Sequence, residues 1–290
     1  MSDVVNLGVL NGHSVGRILK EAVRRAATVI RAQRQNFESQ TKLSYAGTMD
    51  DVFTSADRAA QEVYLRTFTE CFPGCGVIGE EDSLSIPAVA PITAYFTVDP
   101  IDGTRAFIRR QSHGISTMVA LVDRGEVISA YIGDISSDEV YGYRPGSSRV
   151  HRITRLDDFE TLDPAPPPVS SLSEIFGLLR DPAHAYSPQT QKLVERFRDY
   201  EIMGSSLGTW SARLWKGEVG ALLYAKGFET PWDSTPVIGI SRKLGYVWLR
   251  PEDGDWVQYE PELPLKPVRR DHDALVVHQS LLESGKLKLA

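Results

Sequence analysis

Cysteine is nearly absent: Cys71 and Cys75 are the only two in 290 residues, on either side of Phe72-Pro73-Gly74. Two thiols cannot complete a thiolate metal site or a disulfide framework, and Pro-Gly is an ordinary helix stop. The pair therefore reads as two unpaired structural thiols. The six histidines are scattered without ligand spacing, and only His113 lies near the acidic loop described below, where it reads as structural or substrate-adjacent. Positive charge is not in excess either. Against 38 Asp and Glu there are 32 Lys and Arg, and the net charge of −6 leaves no electrostatic footprint for nucleic acid or an anionic membrane. No stretch approaches the roughly 20 apolar residues of a membrane span. Met1-Ser2-Asp3 opens without the basic region and apolar core of a signal peptide, so the cytoplasm is the expected compartment. No internal repeat is visible.

A content of 42% hydrophobic and 24% charged residues is that of an ordinary globular chain, and 290 residues can bury a large core as one wide domain or two intimate halves. From Ser14, Val15, Ile18, Leu19, Ala22, Val23, Ala26, Val29 and Ile30 recur at helical spacing with arginines between them, giving an amphipathic core helix with a solvated basic side. A second helix is expected over Arg58–Phe72, capped by Thr54 or Ser55. Strands follow at Gly76–Gly79, Ala94–Val98, Ile115–Val122, Glu126–Ile132 and Glu139–Arg144, so residues 1–160 form an α+β half with two helices beside an antiparallel sheet. Asp163-Pro164-Ala165-Pro166-Pro167-Pro168 cannot continue a helix or an interior strand and marks the seam. Residues 161–290 alternate helix and strand, with helices at Gln189–Tyr200, Gly208–Lys216 and Ser234–Leu244, a strand at Gly220–Tyr224, a hairpin of Tyr246–Arg250 with Trp256–Tyr259, and a closing strand Ala274–Val277. That is an α/β half.

The chemistry concentrates in Asp99-Pro100-Ile101-Asp102-Gly103-Thr104, where an apolar strand leaves the core and turns sharply. Pro100 pushes Asp99 towards extended backbone, while Gly103 lets consecutive N–H groups be presented at close quarters. One loop thus offers anionic ligands and anion-binding amides, a combination suited to a phosphate ester held through Mg²⁺. Glu80, Glu81 and Asp82 arrive at the end of the preceding strand, and three adjacent acids repel one another unless something neutralises them. Asp57 falls in the first turn of the second helix, where a carboxylate complements the helix dipole without any further role.

The set Gly79-Glu80-Glu81-Asp82, Asp99 to Thr104 and Pro231-Trp232-Asp233-Ser234, together with Thr54-Ser55-Ala56-Asp57, resembles the signature motifs of the inositol monophosphatase family, in the family's order. The resemblance implies a layered α-β-α-β-α sandwich of the inositol monophosphatase and fructose-bisphosphatase type, and a Mg²⁺-dependent, lithium-sensitive phosphomonoesterase, commonly dimeric. Carried over position by position, it places Glu80, Asp99 and the Ile101 carbonyl on one metal and Asp99, Asp102 and Asp233 on a second, with Asp57 at the edge, either binding a weakly held third ion through water or orienting the nucleophile in catalysis. Thr104, with Glu80, would align and deprotonate the attacking water, and the amides of Gly103 and Thr104 would hold the phosphate beside Asp102 and Arg105. Gly204-Ser205-Ser206 resembles the small-residue segment walling the substrate pocket, and Trp232 would pack beneath the Asp233 loop. Two departures bear on substrate. Asp102-Gly103-Thr104-Arg105-Ala106-Phe107 looks more like the histidinol-phosphatase branch than the inositol phosphatases, and the position of a hydroxyl-binding Glu falls at Lys226 or Glu229.

The expected substrate is therefore a sugar, polyol or amino-alcohol phosphate, with a nucleotide 3′-phosphatase or a fructose-1,6-bisphosphatase as alternatives within the family. A phosphatase forming an acyl phosphate on Asp wants its carboxylates two residues apart, whereas Asp99 and Asp102 are separated by Pro100 and Ile101. A non-catalytic metal or phosphate-binding module would not need the full set of Glu80, Asp99, Asp102, Thr104 and Asp233.

Overall fold

The computed structural model describes residues 10–45, 47–49, 51–163 and 171–283; Pro164 to Pro168 and the first three residues, on which the seam and leader expectations fall, lie outside these. Helix α1, Gly12–Gln33, starts two residues earlier than its apolar periodicity, because the Asn11 side chain accepts the Ser14 N–H at 2.9 Å and caps it. Strands β1, Ser39–Lys42, and β2, Asp51–Thr54, pair antiparallel as a small separate ribbon. Helix α2, Ser55–Cys71, follows at once. Thr54 is its N-cap and Asp57 completes a reciprocal capping box.

Strands β3 (Gly76–Gly79), β4 (Ser85–Ile86) and β5 (Tyr95–Asp102) lead into the short helix α3 (Thr104–Ile108), and then come β6 (Ser116–Asp123), β7 (Glu126–Asp134), β8 (Val140–Tyr143), β9 (His151–Ile153) and β10 (Phe159–Thr161). They form one eight-stranded sheet in the order β10-β9-β8-β7-β6-β5-β3-β4. It is antiparallel except where β3 and β5 run parallel, and that exception brings the carboxyl ends of both strands, with their acids, to one edge. Between Asp99, paired with Met118, and Asp102, paired with Ser116, the β5 register slips by one residue. Pro100 has no N–H to give to the ladder, so the strand bulges there and turns its carboxylates out of line.

In the second half β11 (Phe176–Leu179), α4 (Pro188–Val194), β12 (Asp199–Ile202), α5 (Leu207–Trp215), β13 (Ala221–Tyr224), β14 (Gly227–Glu229), α6 (Pro231–Lys243), β15 (Tyr246–Glu252), β16 (Asp255–Tyr259), β17 (Val268–Arg270), β18 (Ala274–His278) and α7 (Gln279–Glu283) follow in turn. A six-stranded sheet runs β12-β11-β13-β18-β15-β16, and β14 pairs with β17 apart from it. The expected helix Gln189–Tyr200 is two elements. It stops at Val194, and Asp199–Ile202 is an exposed edge strand parallel to β11, with no buried face to reveal it as a strand. The hairpin between β15 and β16 closes on Asp253 and Gly254 alone, both at positive φ, which is the two-residue turn that fits strand twist.

Three apolar clusters define five layers. One lies between α1 and α2 and the first sheet, and contains Leu19, Val23, Tyr64, Phe68 and Phe96. The second joins the first sheet, α5, α6 and the second sheet through Met118, Ile132, Trp210, Trp215, Ile238 and Val276. The third puts α4 and α7 on the outer face of the second sheet around Leu193, Leu223, Leu275 and Leu281. The result is an α-β-α-β-α sandwich, mixed α and β throughout. Every residue of β6 is buried, as a strand covered by helices on both faces must be. Cys71 and Cys75 are unpaired. Burial, with Asp123 nearby, pushes the Cys75 thiol up to about 11, which makes it a poor nucleophile at neutral pH.

Candidate metal centre

Each acidic side chain reaches the site from a different local structure. Glu80 follows β3, Asp99 and Asp102 sit on the bulged end of β5, and Asp233 occupies the first turn of α6. Asp99, Asp102 and Asp233 each offer a carboxylate oxygen, and these atoms all lie within 4.8 Å of one another. Together with Glu80, Ile101, Gly103, Thr104, Arg105 and Ser205 they line a cavity of about 520 Å³.

Asp102 is the most tightly held. Ser116 and Ser206 donate their hydroxyls to Oδ2 at 2.8 and 2.6 Å, the Gly208 N–H donates to Oδ2 at 2.7 Å, and the Leu207 N–H donates to Oδ1 at 2.9 Å. The carboxylate thus sits on the N-terminus of α5, at the end where the helix dipole favours an anion. Position 208 must be glycine for this approach, since a Cβ would lie 2.5 Å from the Ser116 hydroxyl and 2.8 Å from Ile132. Ser206, expected with Gly204 and Ser205 to wall the substrate and phosphate pocket, is instead fully buried, caps α5 by accepting the Thr209 N–H at 3.0 Å, and lies behind Asp102 rather than on the cavity wall. Ser206→Ala is expected to cost about 1–2 kcal/mol from the lost cap and the loss of one of the three donors to Asp102 Oδ2. A denaturant titration checks this, and an unchanged midpoint would contradict the contact.

Thr104 is fixed from behind. Its hydroxyl donates to the Ile101 carbonyl at 2.9 Å and lies 3.3 Å from Oδ1 of Asp57. Asp57 is fully buried beneath it and accepts the Thr54 N–H at 2.7 Å and the Thr54 hydroxyl at 2.6 Å. Among the described residues no hydrogen bond joins Thr104 to Glu80. Gly103 lies at φ +95°, and a Cβ there would collide with the Gly114 carbonyl, so the turn into α3 needs glycine. Ser205 donates to that same carbonyl at 2.5 Å.

Sequence reasoning passed over the arm formed by β1 and β2. It carries Lys42, whose Nζ lies 3.1 Å from Glu80 and 2.8 Å from Glu81. Burial works against the Lys42 charge, but the two carboxylates outweigh it and hold the ammonium protonated. Tyr45 at the tip of the arm meets Trp232 and Phe228 with ring centroids 6.2 Å apart in both cases, so the arm crosses the mouth of the site. His113 is exposed and outside the cavity lining. Lys226 is exposed and gives its backbone N–H to Asp273, whereas Glu229 lines a small adjoining cavity of about 70 Å³, paired there with Arg270.

The electrostatics are those of a site built for cations. Burial and then the neighbouring carboxylates Glu80 and Asp233 hold Asp99 far above the ordinary carboxylate range, and burial, with Asp233, Glu81 and Asp57 nearby, does the same to Glu80 against the pull of Lys42. Burial and Asp233 push Asp102 up to about 6, and burial pushes Asp57 up to about 7. Asp99 is 2% exposed, and its Oδ1 has no hydrogen-bond partner among the described residues. A buried carboxylate oxygen without a partner, facing other carboxylates, fits a positive ligand, and an all-oxygen donor set fits a hard cation such as Mg²⁺.

The sequence model of the inositol monophosphatase family matches residues 12–280. Inositol-1-monophosphatase of Bacillus subtilis is 26% identical over 151 residues, 50% of this chain and 53% of that protein. The 3′(2′),5′-bisphosphate nucleotidase CysQ of Salmonella typhimurium is 30% identical over 112 residues, 38% and 45% of the two chains. The chain thus spans about half the length of the curated relatives it matches. Among solved structures, an IMPase/NADP phosphatase complexed with Mg²⁺ and phosphate superposes with a TM-score of 0.70 at 19% identity, covering 96% of this chain and 95% of that one, so the fold is shared. With a match across nearly all of its length, a shared fold and the acidic motifs assembled at one cavity, the chain belongs to the inositol monophosphatase family.

Proposed function

We propose that this chain hydrolyses small-molecule phosphate monoesters with Mg²⁺. The observation that carries the reading is the convergence of Asp99 and Asp102 from the first sheet with Asp233 from α6, to within 4.8 Å, around an orphaned Asp99 oxygen. Glu80, Asp99 and the Ile101 carbonyl would hold one cation and Asp99, Asp102 and Asp233 a second, with Asp57 near a third. Bound divalent cations supply neutralisation of the phosphoryl oxygens, acidification of the attacking water and stabilisation of the leaving oxygen. The protein's own groups do the rest. Thr104, held between Asp57 and the Ile101 carbonyl, orients the water and passes a proton towards Asp57, and the N–H groups of Gly103 and Thr104 receive the phosphate with Arg105 beside them. Inhibition by lithium and by high Mg²⁺ belongs to the same reading, as does a homodimer, which sedimentation at micromolar concentration tests.

For the leaving group, a polyol, sugar or amino alcohol is favoured by Glu229, the carboxylate that faces the adjoining cavity and can accept from a hydroxyl or ammonium. The Asp102-Gly103-Thr104-Arg105 form keeps histidinol phosphate beside inositol phosphate as the first substrates to try. Phosphate release from these two, fructose 1,6-bisphosphate, adenosine 3′,5′-bisphosphate and NADP tests this. The monophosphates are expected to show the higher kcat/KM, and Glu229→Gln is expected to raise their KM about tenfold, as loss of one charge-assisted hydrogen bond does. A clear preference for a bisphosphate or for NADP would reassign the substrate class while leaving the chemistry in place.

A further inference from the structure

A second cavity, sharing no residue with the first, opens where α1 crosses the end of the first sheet. Its volume is about 430 Å³, within the range of small-ligand sites. Two glycines make the room. A Cβ on Gly16 of α1 would lie 2.5 Å from Cβ of Arg144 and 2.9 Å from the Tyr131 hydroxyl, and a Cβ on Gly142 of β8 would strike the Tyr131 ring. Strand pairing puts Tyr131, Gly142 and His151 side by side on this face, with Arg144 two residues further along.

The lining is cationic. Arg17 and Lys20 come from α1, Arg144 and His151 from the sheet, and His13 from the start of the helix; no carboxylate lines the cavity among the described residues. That is out of character for a chain with a net charge of −6. Lys20 has Asp157 at 2.7 Å, but Arg17 and Arg144 have no ion-pair partner among the described residues. Burial, then Arg149 and Arg144, hold His151 below the ordinary imidazole range, as expected where positive groups crowd without an anion between them. Tyr131 gives an independent sign. Its side chain is 5% exposed, its hydroxyl has no hydrogen-bond partner among the described residues, and it lines the same cavity. The ring is buried while the hydroxyl itself is left open to the cavity, where a ligand oxygen can meet it. Phe159, with Lys20 Nζ 5.4 Å from its ring centroid, provides an apolar wall at the outer end.

We infer that this cavity binds a small organic phosphate, its phosphate between Arg17, Arg144 and the Tyr131 hydroxyl and its apolar or aromatic end against Phe159. Two guanidinium groups and a phenol supply donors for several oxygens of a dianion, which a singly charged carboxylate would leave unused. The site is distinct from the acidic centre in residues and in sign of charge. It therefore stands or falls separately from the phosphatase reading.

The probe is phenylphosphonate, which carries no ester to hydrolyse, titrated by calorimetry into the full chain with Mg²⁺ and again in excess chelator. In chelator the acidic centre repels anions, so binding there reports the cationic cavity. One binding event is expected to persist in chelator. It should weaken tenfold or more in Arg17→Gln and in Arg144→Gln, and several-fold in Tyr131→Phe, which keeps the ring and its packing. Melting temperature and phosphate release should stay at the wild-type level in Arg17→Gln and Tyr131→Phe, which excludes misfolding even if Arg144→Gln folds poorly. No binding in chelator, or wild-type affinity in both Arg17→Gln and Tyr131→Phe, would overturn the inference.

Discussion

Asp233→Asn is expected to lower kcat for phosphate-ester hydrolysis about a hundredfold or more, by removing a charge that balances a divalent cation, while the chain stays folded. A structural role alone gives a different outcome. The sequence allows Asp233 to be read as the cap of a helix starting at Ser234, and as a cap Asn would replace it almost without loss. In the structure the cap position is Thr230, the helix starts at Pro231, and Asp233 is in the first turn, with its Oδ2 accepting the Thr230 hydroxyl. Asn there forfeits a helix-dipole interaction of about 0.3–1 kcal/mol, too little to unfold a chain with three buried clusters. Kinetics at saturating Mg²⁺ beside a melting curve separates the readings. Near-wild-type kcat would remove Asp233 from the metal set.

Mg²⁺ is expected to raise the melting temperature of chelator-stripped protein, and by more at pH 8 than at pH 5. The sign follows from carboxylates whose folded-state pKa values lie above their unfolded ones: Asp102 at about 6, Asp57 at about 7, and Glu80 and Asp99 raised well beyond the usual range. The folded, metal-free chain holds more protons than the unfolded chain, so these groups favour folding below about pH 4 and that contribution is lost as pH rises through 6 and 7. Ligation needs the same carboxylates deprotonated, so stabilisation by Mg²⁺ grows over the window in which the stripped protein weakens. At a hundredfold excess over Kd it amounts to about 2.7 kcal/mol. Asp99→Asn is the companion variant. It should stabilise the stripped protein by about 1 kcal/mol, since it removes a charge from a buried, partly unsatisfied group, and should abolish the response to Mg²⁺. A stripped protein whose melting temperature does not fall between pH 5 and pH 8 would contradict this account of the site.

The parts of the site that could be read in advance are those carried by short local patterns. Pro100 and Gly103 announce the bulge and turn of β5, and Thr54 and Asp57 the start of α2, whereas α6 begins at Pro231, three residues before the expected start at Ser234. The parts that could not be read depend on how separate elements dock. Nothing local in Ser116, Leu207 or Gly208 says that their donors converge on Asp102; that follows only when α5 packs its N-terminus against β6. The β1 and β2 arm escaped because Thr54 is the only buried residue of its two strands, so it shows no buried apolar face, yet it brings Lys42 to Glu80 and Glu81. Edge strand β12 was hidden for the same reason. Of the segment expected to wall the pocket, Gly204 and Ser205 line the cavity and Ser206 does not, because its cap hydroxyl turns inwards to its helix and Asp102.

Release of inorganic phosphate from histidinol phosphate and inositol phosphate, measured with Mg²⁺, then with excess chelator, then with Mg²⁺ restored, tests the central claim most directly. Turnover with Mg²⁺, its loss in chelator and its recovery on adding the metal back are the expected results. Full turnover in excess chelator, or cation binding at the acidic cluster with no turnover of any ester in the substrate panel, would contradict it.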